Sequence, residues 1–193
     1  MFDFPAQAKQ AVSRKASYVT VLMGHNDVCQ DRFIDIPSDE VFEDRFREGM
    51  ETLRQGLPAG ATVYVVGIVD IYRLWQVAGD KRALGIVDCE VLWAATLLRW
   101  YPCGTMLNPL IGEAGRQFTR ERNVAFNAIL RRVTEEYQAQ DSNHHYVFTD
   151  EIFKYPFVES HVSDIDCFHP SAPGQRKLSE ITWRHGPFAE PPK

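Results

Sequence analysis

Asp166 and His169 are the two residues whose types and spacing most directly support chemistry. A carboxylate three residues before a histidine can reach the ring Nδ1–H within one turn of loop, and Pro170 then prevents a regular continuation. Such a contact fixes the histidine tautomer, leaves Nε2 free as a general base and stabilises the imidazolium that forms. The stretch therefore predicts two thirds of a Ser-His-Asp triad. The alternative is an Asp that caps a turn beside a surface histidine.

A second candidate follows the apolar run Tyr18–Met23. This run predicts a strand buried on both faces of a parallel sheet, and ligands of open α/β sheets bind beyond the carboxyl ends of the strands. Gly24 permits a sharp turn there, and the Asn26 side chain can donate an N–H to a developing oxyanion. With Asp27, these residues also match an ordinary Asn-Asp turn, which is the alternative.

Composition and charge limit the classes of protein that the chain can represent. Its 193 residues, 45% of them hydrophobic, predict a single domain over 1–193 with a sizeable core. The formal net charge of −5 disfavours a nucleic-acid partner or an anionic membrane. No apolar run approaches the roughly 20 residues of a transmembrane helix, and residues 1–10 lack a signal-peptide core.

Four cysteines, at positions 29, 89, 103 and 167, form no Cys-x-x-Cys pair, which disfavours a structural zinc site. They allow three disulfide pairings, or none in a reducing compartment. Because Cys89 and Cys103 flank one irregular segment, we favour a pairing between them. We also lean towards a secreted or periplasmic protein.

The remaining pattern alternates strands and helices. A helix over 5–14 precedes the first strand, and a helix that begins after Ser38 and ends before Pro58 carries one apolar stripe. Ala61–Val69 predicts a second buried strand, so strand, helix and strand form a βαβ unit and the sheet is mostly parallel. Further patterns predict a helix over 115–139, a strand over 146–148, a final helix from Pro173 and a loose tail over 186–193.

Two motifs carry a family resemblance. Val21–Cys29 resembles the third conserved block, Gly-x-Asn-Asp, of the SGNH or GDSL-type esterases and lipases. Asp166–Ser171, with Gly174-Gln175, resembles their fifth block, Asp-x-x-His, and both are similar to the phospholipase B-like branch. The blocks stand in the family's order, about 140 residues apart. The resemblance implies a three-layer α/β/α sandwich with strand order 2-1-3-4-5 that hydrolyses carboxylic esters without a cofactor.

The resemblance also implies a role for each matching residue. Asn26 would be an oxyanion-hole donor, His169 the general base and acid, and Asp166 the residue that orients it. Gly24 and Asp27 would support the Asn26 loop. The implied partner is a small-molecule ester or a lipid substrate.

One departure from the family pattern concerns the nucleophile. The family uses a serine in a Gly-Asp-Ser block after its first strand, and no serine of this chain follows Gly-Asp. We therefore expect the domain to be truncated, with the first strand and its connection lying before Met1, and the chain to be inactive alone. The absent strand would neighbour Tyr18–Met23, so we expect self-association through that exposed edge.

Two alternatives stay open. His161, Asp164, Asp166 and His169, with His144-His145 upstream, could instead bind a metal ion in a metal-dependent hydrolase. The absent nucleophile also adds weight to a catalytically inactive, hydrolase-like binding domain.

Overall fold

The computed structural model of the protein describes residues 1–98 and 102–189. Its helices are Phe4–Ser13 (α1), His25–Val28 (α2), Asp39–Gly56 (α3), Ile71–Ala78 (α4), Cys89–Trp93 (α5), Gly104–Leu107 (α6), Gly112–Gln140 (α7), Glu151–Lys154 (α8) and Ala172–Arg184 (α9). Its strands are Tyr18–Val21 (β1), Thr62–Val66 (β2), Arg82–Ala83 (β3), Val87–Asp88 (β4) and His145–Thr149 (β5). None of the described helices is both long and apolar enough to cross a lipid bilayer.

Three strands form a parallel sheet in the order β1-β2-β5. Tyr18 pairs with Thr62 at one end of the first ladder, and Thr62 pairs in turn with His145. The family resemblance implies the strand order 2-1-3-4-5. The strands β1, β2 and β5 agree with the last three positions of that order, 3-4-5. The short strands β3 and β4 form a separate antiparallel hairpin outside this sheet.

Helices cover both faces of the sheet, which gives the expected three-layer α/β/α architecture. Alternate residues of β2, Val63 and Val65, point into the main core with α1, α3 and α7. Tyr64 and Val66 face the other way and pack with Ile152 of α8 and with α9. The alternation follows from the two-residue period of a strand.

Helix α3 shows how sequence signals produce this packing. The Ser38 hydroxyl caps the helix by accepting a hydrogen bond from the Val41 N–H over 3.3 Å. The predicted apolar stripe is fully buried, and Phe42 stacks on Phe126 of α7 with 3.9 Å between the ring centroids. The helix is thereby fixed between the sheet and α7.

The expectation that the first strand is buried on both faces is wrong. Val21 is buried, but Tyr18, Thr20 and Leu22 are exposed, because β1 is an edge strand among those described and α9 lies over β2 and β5. Part of the predicted loose tail is packed here, since the Phe188 ring lies 5.1 Å from that of Tyr18. Residues 190–193 of that tail lie outside the described residues. Self-association through the edge stays a prediction.

Candidate active site

Asn26 lies in a tight turn that continues directly from β1. Gly24 has a φ of +103°, in the left-handed region that favours glycine, and a Cβ there would lie 2.6 Å from Ile68 Cδ1. The turn leads into α2, on which the Asn26 side chain is exposed. Gln30 Nε2 donates a hydrogen bond to the Asn26 carbonyl oxygen over 2.6 Å. The Asn26 side chain is therefore presented at the carboxyl end of β1.

Asp27 points the other way, into the protein. It is buried, and its carboxylate contacts the backbone nitrogen of Met1. This contact ties the Asn26 turn to the segment that begins α1. The side chain therefore lies where it braces the turn and does not face a substrate.

The Asp166 carboxylate and the His169 ring are hydrogen-bonded, with 2.8 Å between Asp166 Oδ2 and His169 Nδ1. The backbone N–H groups of Phe168 and His169 donate to the other carboxylate oxygen over 3.1 and 3.0 Å. Burial raises the pKa of Asp166, but the hydrogen bonds from the His169 ring and these N–H groups outweigh it and hold that pKa below its ordinary value. Asp166 is therefore an anion that orients the imidazole.

The segment 161–171, which we call the His169 loop, is closed on itself. Val162 and Pro170 form an isolated antiparallel bridge, and the Ser163 N–H donates to the His169 carbonyl oxygen over 2.8 Å. Gly174, near the start of α9, packs so closely that a Cβ there would clash with the His161 carbonyl oxygen. These contacts hold the ends of the loop together, so the position of His169 does not depend on Asp166 alone.

Each half of the site is joined by a disulfide to the same segment of chain. Cys29, at the end of α2, pairs with Cys103, and Cys167, inside the His169 loop, pairs with Cys89. The expected Cys89–Cys103 pairing is wrong. The two cysteines flank one segment, but the fold brings each of them against a different site loop, with Cα–Cα distances of 4.4 and 5.6 Å.

Asn26 and His169 line one pocket, with a volume of about 340 Å³. Most of its wall is apolar. The wall is formed by Leu22 after β1, by Val69 after β2, by part of α4, and by residues within the His169 loop and next to it. The residues that line the pocket are Leu22, His25, Asn26, Cys29, Val69, Asp70, Ile71, Leu74, Val77, Phe157, His161, Val162, Phe168, His169, Pro170 and Leu178.

Helix α4 is not among the site residues predicted from the sequence, but one face of it forms part of the pocket wall. Ile71, Leu74 and Val77 follow one another at intervals of three and line the pocket. Asp70 caps the helix by accepting from the Tyr72 and Arg73 N–H groups, and its second oxygen pairs with Arg120 over 3.2 Å. A capping Asp followed by apolar residues at intervals of three indicates a helix in the sequence. Tertiary packing decides that the apolar face of this helix lines the pocket.

Three histidines line the pocket, and their hydrogen bonds distinguish them. His25 Nε2 accepts from the Val69 N–H over 3.3 Å, and burial lowers the pKa of His25 to about 4, so the ring is neutral at pH 7. His161 Nδ1 accepts from the Val158 N–H over 3.2 Å. His169 alone among the three has a carboxylate on Nδ1, and its side chain is 67% exposed. It is the ring best arranged as a general base.

The pocket wall contains no serine, threonine or lysine among its described residues, and its one cysteine is in a disulfide. The two serines nearest His169 in sequence do not line the pocket, and the hydroxyl group of each is hydrogen-bonded. Ser163 Oγ accepts from the Ile165 and Asp166 N–H groups. Ser171 Oγ donates to the Ser160 carbonyl oxygen and caps α9.

The geometry gives no support to the metal-site alternative. Asp164 pairs with Lys81 over 2.5 Å, while His161 Nδ1 is bonded to backbone. Upstream, His144 is buried against Asp141. Within residues 1–98 and 102–189, no group of three or more His, Cys, Asp or Glu side chains is placed to hold a metal ion.

Comparison with known proteins agrees with the fold. Residues 3–182 match the model of the GDSL-like lipase/acylhydrolase family. Since the match spans nearly the whole chain, the protein belongs to this family of α/β/α hydrolases, and its general activity is ester or acyl hydrolysis. Among curated proteins no match is found.

Proposed function

We propose that this protein is a serine-type hydrolase of carboxylic esters, in which His169 is the general base and acid. The observation that carries the proposal is the 2.8 Å contact between Asp166 and His169 Nδ1, with His169 lining the same pocket as Asn26. An imidazole held in this way accepts a proton at Nε2 from a nucleophile and later returns it to the leaving alcohol.

Asn26 supplies the second element, a donor to the oxyanion. Its side chain is exposed at the carboxyl end of β1 and lines the pocket beside His169. A side-chain N–H directed at a developing oxyanion acts more strongly in a pocket with apolar walls than in water. The Gly24 turn and the buried Asp27 would keep this donor in place.

The nucleophile belongs, in this proposal, to a polypeptide segment outside residues 1–193 that runs beside β1. Two observations support it: the described pocket wall offers no hydroxyl, and β1 is the edge of the described sheet. A base and an oxyanion donor without a nucleophile can only assist the attack of water, which is a much slower route. The 193-residue chain alone should therefore show no esterase activity above background.

The pocket wall favours an uncharged acyl group as the substrate. No lysine or arginine of the described residues lines it, so an anionic headgroup would find no counter-ion among them. The one carboxylate of the described wall, on Asp70, is already engaged with Arg120 and the start of α4. The apolar face of α4 offers instead a surface for a hydrocarbon chain.

The test is to extend the chain with an upstream segment that carries a Gly-Asp-Ser block. Labelling with a serine-directed fluorophosphonate should appear in the extended protein and be absent from the 193-residue chain. A serine-to-alanine change in the added block is the matched control and should remove the label.

A second candidate function, an inactive binding domain of hydrolase fold, is favoured by the absent nucleophile. The same experiment separates the two functions. If the extended protein binds esters but neither reacts with the fluorophosphonate nor hydrolyses esters, the binding domain is the better description. Robust hydrolysis by the short chain that Ser163→Ala or Ser171→Ala abolishes would overturn the assignment of the nucleophile to an outside segment.

A further inference from the structure

The hairpin between β3 and β4 places a leucine where its backbone geometry disfavours one. The Ile86 N–H donates to the Ala83 carbonyl oxygen over 2.9 Å, and the two residues between them, Leu84 and Gly85, have φ angles of +50° and +71°. Turns with two positive φ angles prefer Asn, Asp or Gly, because a branched or bulky side chain is strained there. Leu84 is therefore not the residue that folding of this turn would favour.

This strained residue belongs to a group of exposed aliphatic side chains, which we call the aliphatic lip: Leu84, Ile86, Val87 and Ile165. Leu84 is 69% exposed, Ile86 79% and Ile165 75%. The Leu84 N–H donates to the Asp164 carbonyl oxygen over 2.6 Å, which brings the hairpin tip beside Ile165. Isolated exposed aliphatic residues are ordinary, but four of them on one hairpin and the loop bonded to it mark a contact surface.

The aliphatic lip is attached firmly to the loop that carries His169. Lys81, at the base of the hairpin, is buried and contacts both Asp164 Oδ1, at 2.5 Å, and the Glu159 carbonyl oxygen, at 3.3 Å. The Cys89–Cys167 disulfide joins the end of the hairpin to the same loop. The lip and the loop that carries His169 are therefore joined at several points.

Charge and composition indicate the kind of partner. The basic residues of the hairpin are neutralised within the molecule, since Lys81 pairs with Asp164 and Arg82 pairs with Asp88 over 2.7 Å. The lip has no Trp, Tyr or Arg, the residues that dominate protein–protein hot spots. With a net charge of −5, the protein would be repelled by an anionic membrane.

We propose that the aliphatic lip inserts into an uncharged, zwitterionic lipid surface and so holds the loop that carries His169 near the boundary between lipid and water. Apolar side chains on a rigid tip gain affinity for such a surface in proportion to the aliphatic area they bury. The strain and exposure of Leu84 are accounted for by this contact. The proposal concerns a surface and needs no nucleophile, so it is tested separately from the hydrolase function.

The test is flotation of the 193-residue protein with phosphatidylcholine vesicles. Leu84→Asn suits the positive φ of the turn, and Ile86→Asn removes the most exposed side chain of the lip; each should lower the partition coefficient by about tenfold or more. The matched control is Ile34→Asn, an 81% exposed aliphatic residue outside the lip, which should bind like the parent protein. Thermal unfolding of Leu84→Asn should show an unchanged or higher midpoint.

Three results would overturn the proposal. The first is the absence of binding to phosphatidylcholine vesicles, or binding that both lip variants retain. The second is stronger binding to vesicles that contain phosphatidylglycerol, which would indicate an electrostatic contact. The third is concentration-dependent dimerisation that Ile86→Asn abolishes in analytical ultracentrifugation, which would make the lip an interface between copies of this chain.

Discussion

The Asn26 turn and the His169 loop meet at one pocket, but different forces hold them there. The Asn26 turn continues β1, so its position is set by the pairing of β1 with β2 and by the close approach of Gly24 to Ile68. The His169 loop does not follow a strand of the parallel sheet. It depends on the Asp166 hydrogen bonds, the bridge between Val162 and Pro170 and the Cys89–Cys167 disulfide.

The difference shows what the disulfides contribute. Both connect a site loop to the segment between Cys89 and Cys103, and no described residue of that segment lines the pocket. The segment therefore acts as a support outside the site. The sheet already holds the Asn26 turn, so the cross-link should matter less for its geometry than for that of the His169 loop.

The largest effect that we expect is the loss of the base. In a version of the protein completed with the Gly-Asp-Ser segment, His169→Ala should lower kcat by about 10⁴-fold or more, because proton transfer and nucleophile activation are both lost. Asn26→Ala should cost less, about 10²–10³-fold, since only one oxyanion donor is removed. Steady-state ester hydrolysis measures both.

The histidine at the start of β5 provides the control for these variants. His145 is exposed and does not line the pocket, so His145→Gln should leave kcat unchanged. If His169→Ala kept most of the activity while Asn26→Ala lost it, the assignment of the base would be wrong.

Removal of the disulfides should have the next largest effect and should separate the two loops. The cross-links span 78 and 74 residues, so the chain-entropy model gives each a similar contribution of roughly 4.5 kcal/mol to the free energy of unfolding. Cys89→Ser with Cys167→Ser should also weaken the hydrogen bond between Asp166 and His169, which the Nδ1 proton of His169 reports by NMR. Urea unfolding gives the stability of both double variants.

Cys29→Ser with Cys103→Ser is the matched control for that experiment. It should lower stability by a similar amount but leave the His169 Nδ1 proton unchanged. Equal disturbance of His169 by both double variants would show that the two loops are not supported independently.

The smallest effect that we expect is a pH dependence centred on the Asn26 turn. Burial holds the pKa of His25 at about 4, below its ordinary value, so between pH 6.5 and 4 the unfolded chain binds a proton that the folded protein does not. The free energy of unfolding should therefore fall as the pH falls through this range, by at most about 3 kcal/mol. Urea unfolding at a series of pH values measures the slope.

His25→Gln keeps an acceptor for the Val69 N–H but cannot titrate, so its unfolding curve should be flatter over the same range. Identical slopes for the two proteins would contradict the assignment.

The contribution of the His169 loop to the free energy of unfolding should change at lower pH, because the pKa of Asp166 is also below its ordinary value. Its contribution is present above the unfolded pKa of about 3.9 and is lost as the pH falls towards the folded value.

Patterns that act over a few residues were predictable from the sequence. The three-residue spacing of Asp166 and His169 predicts their contact, because both partners lie on one turn of loop. Ser38 likewise predicts the start of α3, where it accepts from the Val41 N–H. The parallel sheet followed from a βαβ pattern, in which apolar runs alternate with a helix of 3.6-residue period.

Only the tertiary structure decided which distant groups share a site. It paired Cys167 with Cys89 and Cys29 with Cys103, since a disulfide depends on which backbones approach and not on sequence proximity. It also distinguished His169 from His161, although both side chains are imidazoles. A carboxylate contacts Nδ1 of His169, whereas a backbone N–H donates to Nδ1 of His161. The sequence determines these side chains and their local turns; the packing of the loops on the sheet determines which atoms face the pocket.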